Sequence, residues 1–189
     1  VFETAHAAIF HGREEETQDL VERLREQEAR GCAFVVIVGA SGAGKSSLAR
    51  AGVAATLQRH CFDERVHEWR DAVFLPSLHG GDLFTGLARV LAASLPELRG
   101  GAGGLERFAE RLHGNREAAA DFVDSALVRA GESAGGTVRI LLVLDQMEEL
   151  WTDRRLDATT RENFLESLEA LAGVSGGAVQ VRLVKPEEA

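Results

Sequence analysis

The sequence predicts an α/β fold whose central sheet is mainly parallel. Segments 33–38 and 140–144 are continuously apolar, which is typical of strands covered by helices on both faces. Segments with helical periodicity lie between the apolar runs, as in a chain that alternates strands and helices. The 189 residues are 45% hydrophobic and carry a net charge of −9, so one globular domain with a substantial core is expected.

The first well-defined helix is expected over 14–30. Leu20, Val21 and Leu24 fall on one face of it, with acidic residues in its first turn and arginines later, as the helix dipole favours. Gly31 supplies the residue that commonly ends a helix.

The remaining elements follow from the same patterns. Apolar residues three and four apart predict helices, whereas short apolar runs predict strands. A short helix is also possible over 3–9, before the first well-defined helix. After it we expect, in order, strand 33–38, helix 45–58, strand 72–75, helices 82–95, 105–113 and 118–130, strand 140–144, helix 161–171 and strand 179–184.

Composition excludes several classes of protein. The chain is neither collagenous nor mucin-like nor wholly disordered, and its acidity argues against broad binding of nucleic acid or anionic membranes. No apolar run approaches the roughly 18 residues of a membrane span. Cys32 and Cys61 are expected to be free thiols in a reducing compartment, which favours a cytoplasmic location. The chain begins with Val, and we expect a piece of a longer polypeptide.

A phosphate-binding motif follows the first strand. Residues 39–46 read GASGAGKS, which fits the P-loop (Walker A) pattern, and a predicted helix comes next. The glycines let successive backbone N–H groups point at phosphate oxygens. Lys45 would reach the β- and γ-phosphates, and Ser46 would ligate Mg²⁺. The residues expected to contact the nucleotide here are Gly39, Ala40, Ser41, Gly42, Ala43, Gly44, Lys45, Ser46 and Ser47.

A second motif ends the 140–144 strand. Asp145 directly follows this apolar run, as in a Walker B motif, where the carboxylate helps to hold Mg²⁺. The alternative is a strand that simply ends in an acidic turn. Together the two motifs predict a site for ATP or ADP with Mg²⁺, in which Lys45 and Asp145 act in catalysis.

The residue after Asp145 is an amide, Gln146, which cannot accept a proton. Glu148 and Glu149 are the acids that follow, and either could orient the attacking water. The alternative is that both merely begin a solvated helix.

These residues together resemble the STAND class of P-loop NTPases, and most of all its novel STAND, conflict-system group, which is related to NACHT and AAA-like modules. Three blocks carry the likeness: FHGREEE at 10–16, VGASGAGKSSLARAG at 38–52 and LLVLDQMEEL at 141–150. The resemblance implies a three-layer sandwich with a mainly parallel sheet and helices on both faces. It also implies that Phe10, Gly12 and Arg13 contact the nucleotide, and it favours Glu149 as the water-orienting acid. The alternative for Gly12 and Arg13 is that they cap the next helix.

The C-terminal part departs from the family pattern. The family continues its last strand into a threonine-leucine-arginine segment, whose arginine is regarded as a sensor of the γ-phosphate. Here the chain reads VRLVKPEEA over 181–189, and Arg182 lies near the expected place without the expected neighbours. We expect one NTPase core over 1–189, made of a pocket segment with a helix (1–31), the α/β core (32–184) and a tail (185–189). The helical lid and sensor domains of the family are missing from this stretch.

The predicted function is a regulatory module that binds ATP, hydrolyses it slowly with Mg²⁺ and acts as a conformational switch in a multidomain signalling or conflict-system protein. Its partners would be effector and sensor domains of the same polypeptide or other proteins, with nucleotide-dependent self-association as a possibility. Two alternatives stay open: a nucleotide-dependent scaffold with little hydrolysis, and an AAA+ ATPase of the replication-loader type.

Overall fold

A computed structural model describes residues 12–60, 66–173 and 178–185. Its four strands form one sheet in the order β1-β4-β3-β2, and every neighbouring pair is parallel. The predicted α/β class with a parallel sheet is therefore confirmed. The strands are β1 (Phe34–Val38), β2 (Val66–Phe74), β3 (Thr137–Leu144) and β4 (Ala178–Val184).

Eight α-helices, one π-helical stretch and two 3₁₀ turns connect or flank the strands within the described ranges. The α-helices are α1 (Glu14–Ala29), α2 (Lys45–Ser47), α3 (Ala55–His60), α4 (Leu83–Ser94), α5 (Gly104–Gly114), α6 (Arg116–Ala134), α7 (Glu149–Thr152) and α8 (Ala158–Ala172). The π-helical stretch is Leu48–Ala54, and the 3₁₀ turns are Pro76–His79 and Pro96–Arg99. Among these described helices, none is long and apolar enough to cross a membrane.

Helices cover both faces of the sheet. Helices α4, α5, α6 and α8 enclose the larger core on one face, while α1 and the helical run after β1 enclose the smaller core on the other. The central strand β3 supplies both cores with alternate side chains, which explains its unbroken apolar sequence. Its residues Val138, Ile140, Leu142 and Leu144 face the larger core, and Leu141 and Val143 face the smaller one.

The sheet order places the two sequence motifs together. Strands β1 and β3 are parallel and separated only by β4, so Gly39 and Asp145 follow strands that end at the same sheet edge. This is the edge at which open α/β sheets bind ligands. The prediction that the two apolar strands share one parallel sheet is confirmed.

Two strands begin earlier than the sequence predicts. Strand β2 lies at the sheet edge, where its first half can expose His67 and other polar residues, so only 72–75 looked like a strand. Strand β3 starts at Thr137 and includes the charged but buried Arg139. The Arg139 guanidinium pairs with Glu28 and lies 5.3 Å from the centre of the Trp69 ring. These partners compensate the buried charge of Arg139. Without them in view, a charged residue argues against extending the predicted strand to Thr137.

Three helices also differ from their predicted bounds. The helical run after β1 contains the π-helical stretch, and α8 starts at Ala158 because Asp157 caps it by accepting a 2.7 Å hydrogen bond from the Thr160 N–H. Helix α6 continues through Gly131 to Ala134, past the predicted end at residue 130. A Cβ at Gly131 would lie 2.6 Å from the Gly136 carbonyl oxygen, so close packing requires the glycine. The helix considered for 3–9 lies outside the described residues.

Candidate functional site

An open cleft of about 340 Å³ lies at the sheet edge where β1, β3 and β4 end. The loop after β1 forms one wall, and the residues after β3 and β4 form the other. The cleft is lined by Ser41, Gly42, Ala43, Gly44, Lys45, Ser46, Ser47, Asp145, Gln146, Glu148 and Lys185. Seven of the nine residues predicted for the phosphate loop are thus in the lining.

The loop owes its shape to two glycines with a left-handed backbone. Gly42 and Gly44 have φ angles of 78° and 79°, which other residues adopt at an energetic cost. Gly44 directly precedes α2, and the N–H of Leu48 already bonds to the Gly44 carbonyl at 2.9 Å. The backbone N–H groups at the start of this helical run have no partner within the helix, so they suit an anion.

Lys45 folds back against its own loop. Its Nζ donates hydrogen bonds to the carbonyl oxygens of Gly39 and Ala40, the latter at 3.1 Å. The Lys45 stem lies 3.5 Å from the place where Gly39 would carry a Cβ. The ammonium group is therefore held beside the cleft by the loop that would bind phosphate.

Ser46 and Asp145 meet across the cleft floor. Ser46 Oγ donates a 2.9 Å hydrogen bond to Asp145 Oδ1, which also accepts the Gln146 N–H at 3.0 Å. Asp145 is only 4% exposed. A hydroxyl and a carboxylate side by side are hard oxygen donors, and this set fits Mg²⁺.

Arg50 is a site residue that sequence reasoning missed. Its Nη2 lies 3.7 Å from Asp145 Oδ2, and its side chain is 14% exposed. It lies in the π-helical stretch, and such stretches are frequent at functional sites. A signal was available, because Arg50 follows Ser46 by one helical turn and so faces the same side of the helix.

Gln146 has the only positive φ among the described residues other than glycine, at 55°. Such a conformation costs energy for a residue with a side chain and concentrates at functional sites. It brings the Gln146 N–H onto the Asp145 carboxylate and turns the chain into α7.

The two acids after the motif face different surroundings. Glu148 is 5% exposed and lines the cleft. Its Oε1 lies 3.2 Å from Lys185 Nζ, while its Oε2 has no hydrogen-bond partner among the described residues. Glu149 instead turns toward the chain after β2, where its Oε2 accepts the Ser77 N–H at 2.8 Å. The structure therefore places Glu148 at the cleft and engages Glu149 elsewhere.

Arg182, considered as a phosphate sensor, faces away from the cleft. Its guanidinium lies 4.5 Å from the centre of the Phe34 ring and donates to Gln180 Oε1 at 3.2 Å. Gln180 in turn bonds the Leu168 carbonyl on α8, so this side of β4 faces the helix layer. Burial lowers the pKa of Arg182. The cation that β4 brings to the cleft is Lys185.

The segment before α1 reaches the phosphate loop through one side chain. Arg13 Nη1 lies 3.6 Å from the position that a Cβ on Gly44 would take. Gly12 has a φ of 85°, and its N–H donates to the Glu14 carboxylate at 3.0 Å. Gly12 therefore takes part in the start of α1, whereas Arg13 stands beside the loop. Phe10 lies outside the described residues.

Three solved structures share this fold. Their sequences are 16–19% identical to this chain. At this level of identity the comparison shows a similar fold and nothing about function. A structure of Drosophila ORC bound to DNA has a TM-score of 0.57 and 19% identity, over 92% of this chain and 38% of that one. The structure of the Aeropyrum pernix ORC2 protein, in ADPNP-ADP complexes, has a TM-score of 0.55 and 16% identity. The similarity covers 93% of this chain and 41% of that one.

The third is the E. coli MS115-1 HORMA:CdnC:Trip13 complex, with a TM-score of 0.51 and 18% identity over 100% of this chain and 61% of that one. The chain thus spans between 38% and 61% of the length of these structures. A comparison with curated protein sequences gives no significant match.

The sequence profile described as Novel STAND NTPase 1 matches residues 1–185. The matched range includes the phosphate loop, the strand that Asp145 follows, and Lys185. Together with the phosphate loop at 39–46, it makes the chain a nucleotide-binding NTPase module. The chain belongs to the novel STAND NTPase 1 (nSTAND1) family.

Proposed function

We propose that the cleft binds ATP with Mg²⁺, that the protein hydrolyses the nucleotide slowly, and that the bound state acts as a switch within a larger protein. The observation that carries the proposal is the 2.9 Å hydrogen bond between Ser46 Oγ and Asp145 Oδ1. It joins the phosphate loop and the strand acid at one sheet edge, where a triphosphate and its cation need both.

Phosphate binding would rest on the loop and on nearby cations. The loop residues from Ser41 to Ser47 offer backbone N–H groups, and Lys45, Arg13 and Lys185 bring positive charge beside them. These cations stand out in a chain whose net charge is −9. We therefore expect a local anion site on an otherwise acidic protein.

The cation would be held by Ser46 Oγ and Asp145, whose carboxylate is buried and already oriented. When bound, Mg²⁺ neutralises charge on the phosphate oxygens and so favours transfer of the γ-phosphoryl group. Arg50 stands behind the same carboxylate at 3.7 Å. It balances the buried charge of Asp145 and fixes the direction in which the carboxylate points.

For hydrolysis, we assign the water-orienting role to Glu148. Its Oε2 is a buried acceptor beside the cleft with no hydrogen-bond partner in the described part of the chain, and it is suited to accept a proton from water. As the water oxygen attacks the γ-phosphorus, the bond to the oxygen that bridges the β- and γ-phosphates breaks, giving ADP and inorganic phosphate. Gln146, an amide, cannot act as a base there, and Lys185 occupies one oxygen of the Glu148 carboxylate at 3.2 Å. Both features favour slow turnover.

A nucleotide-dependent scaffold is the second candidate. The same Glu148–Lys185 pair favours it, because a carboxylate oxygen that stays engaged by an ammonium group is not available to the attacking water. A scaffold would bind ATP and barely turn it over.

One experiment separates the two candidates. Calorimetry would measure Mg-ATP and Mg-GTP affinity, and release of phosphate would measure turnover, in the parent and in Lys45→Ala. The switch requires ATP binding and turnover that both disappear in the variant, whereas the scaffold requires binding without turnover. Absence of nucleotide binding in the parent would refute both. Turnover that rises on addition of DNA would instead favour the replication-loader alternative.

A further inference from the structure

The buried carboxylate of Asp145 is held by two residues of one helical run. Ser46 Oγ donates a 2.9 Å hydrogen bond to Oδ1, and Arg50 Nη2 lies 3.7 Å from Oδ2. Only 5% of the Asp145 side chain and 14% of the Arg50 side chain are exposed. Each oxygen of the carboxylate therefore faces a different residue of the segment that follows the phosphate loop, and one of these two residues is cationic.

Arg50 lies behind the carboxylate and outside the cleft. Ser46 and Asp145 belong to the lining of the cleft, whereas Arg50 does not. Every other residue of the π-helical stretch Leu48–Ala54 is buried, so the helix has little freedom to carry Arg50 away from Asp145. A ligand in the cleft is therefore expected to feel Arg50 through the Asp145 carboxylate.

The charges around the cleft leave no surplus of acid for a bare divalent cation. Among the described residues that line it, two carboxylates, Asp145 and Glu148, face two ammonium groups, Lys45 and Lys185. Arg50 adds a third positive charge directly against Asp145. Like charges repel strongly in a buried setting, so Arg50 lowers the affinity of Asp145 for a cation. It also offsets the repulsion between this carboxylate and a polyphosphate.

Resting on the proposed function, we propose that Arg50 is a positioning residue that makes binding of the divalent cation depend on the nucleotide. In the free protein it neutralises Asp145 and keeps the carboxylate directed at Ser46, so the ligands of the cation are ordered before a cation binds. A nucleotide polyphosphate supplies the negative charge that the cleft lacks, and the cation enters with it. Arg50 itself remains beside Asp145 Oδ2 throughout.

Removal of the Arg50 charge should move two affinities in opposite directions. Arg50→Met leaves Asp145 as an uncompensated acid at the cleft floor, so a divalent cation should bind without nucleotide. The same acid should repel ATP when no cation is present. A residue that merely supports the fold would weaken both kinds of binding when it is lost, so the opposite signs identify the role of the charge.

The experiment measures both affinities in the full chain. Binding of Mn²⁺, which takes the same oxygen ligands as Mg²⁺, is followed by electron paramagnetic resonance without nucleotide. Binding of ATP is measured by calorimetry in the presence of a chelator. For Arg50→Met we expect Mn²⁺ affinity to rise by about tenfold and ATP affinity to fall by about tenfold, a coupling of ordinary size. Arg50→Lys, which keeps the charge, should bring both affinities back toward those of the parent.

A double variant links the cation effect to Asp145. In the Asp145→Asn background, Arg50→Met should change Mn²⁺ affinity by less than about twofold, because the carboxylate on which the arginine acts is gone. Arg116→Met is the control for the loss of an ion pair as such. It removes the pair with Glu166, which joins α6 and α8 away from the cleft, and should alter neither affinity.

Two results would overturn the inference while leaving the proposed function in place. Arg50→Met could bind Mn²⁺ no more tightly than the parent, or its Mn²⁺ and ATP affinities could fall together, which would reduce Arg50 to a structural role. Should Arg50→Met fail to fold, Arg50→Gln, which keeps hydrogen-bond donors beside Asp145 without the charge, carries the same two predictions. A parent that binds no nucleotide would refute the proposed function and this inference together.

Discussion

Ser46 Oγ and Asp145 Oδ1 are 2.9 Å apart although 99 residues separate them in the sequence. The hydrogen bond joins the helical run after the phosphate loop to the end of the central strand β3. Asp145 Oδ2 faces Arg50 Nη2 from the same helical run at 3.7 Å. Two contacts to one carboxylate therefore fix the helical run that follows the phosphate loop relative to the sheet.

Asp145→Asn should weaken Mg²⁺-dependent nucleotide binding by about tenfold or more, because it removes a charge from the cation's surroundings. The amide oxygen can still accept the Ser46 hydrogen bond, so the loop should keep its place. Calorimetry with ATP in the presence of Mg²⁺ or of a chelator measures the effect. Asp121→Asn, on the exposed side of α6, is the matched control. An equal loss of affinity with and without Mg²⁺ would show that Asp145 acts on the loop and not on the cation.

Lys45→Ala should abolish measurable nucleotide binding while the domain stays folded. The Lys45 ammonium is bonded only to the carbonyls of Gly39 and Ala40 among the contacts described, and surface-type contacts of this kind contribute about 1 kcal/mol or less to stability. Urea unfolding tests the fold, and calorimetry with Mg-ATP tests binding. Affinity like that of the parent would contradict the assignment of the phosphate loop.

Glu148→Gln and Glu149→Gln should affect hydrolysis differently. Glu148 lines the cleft, and its Oε2 has no hydrogen-bond partner among the described residues, so its amide variant should slow single-turnover hydrolysis by about 10²-fold. Glu149 holds the Ser77 N–H at 2.8 Å, and its variant should cost stability instead of chemistry. If Glu149→Gln hydrolyses ATP more slowly than Glu148→Gln, the assignment of Glu148 is wrong and Glu149, which the family resemblance favours, is the water-orienting acid.

The fold and the phosphate loop could be predicted because each depends on local patterns. An apolar run such as 140–144 has few alternatives to a buried strand, and the loop at 39–46 combines a rare spacing with a strand and a helix around it. The bounds of β2 and β3 could not be predicted, because they depend on partners distant in sequence. Arg139 can lie in a buried strand because its guanidinium pairs with Glu28 and contacts the Trp69 ring.

The roles of the charged residues were harder to predict for the same reason. Which of Glu148 and Glu149 faces the cleft depends on how the chain turns after Gln146, whose positive φ no propensity suggests. The sequence places Lys185 in a tail and Arg182 near the expected sensor position, because strand alternation alone does not say which side of β4 faces the site. Three-dimensional contacts with α8 decide it.

Gly86→Ala should destabilise the protein by about 1–3 kcal/mol, the usual cost of overpacking. Gly86 lies in α4 under the His79 ring, and a Cβ there would lie 2.3 Å from His79 Cγ. Urea unfolding measures the change. Gly114→Ala is the matched control, because a Cβ at Gly114 meets nothing within 4 Å; it should be neutral or stabilising by up to about 1 kcal/mol. Two equal values would show that His79 moves away freely.

His79 should make the free energy of unfolding fall as the pH drops below about 6.5, the ordinary pKa of histidine. Burial lowers the pKa of this imidazole, and Arg89 lowers it further, whereas Asp82 acts in the opposite direction. The ring is stacked on Phe74 with centroids 4.8 Å apart. A histidine whose pKa is lower in the folded state binds fewer protons there than in the unfolded chain. Its contribution is therefore complete above the unfolded pKa and is lost as the pH falls toward the folded one.

The measurement is the free energy of unfolding in urea between pH 7.5 and pH 5, for the parent and for His79→Gln. Because glutamine does not titrate, the difference between parent and variant should shrink as the pH falls. The exposed His67 offers the control, since His67→Gln leaves His79 and its stacking on Phe74 in place. A parent and a His79→Gln variant with parallel pH profiles would show that the ring accepts its proton as readily in the fold as in the unfolded chain, and that its stacking on Phe74 does not depend on the neutral form.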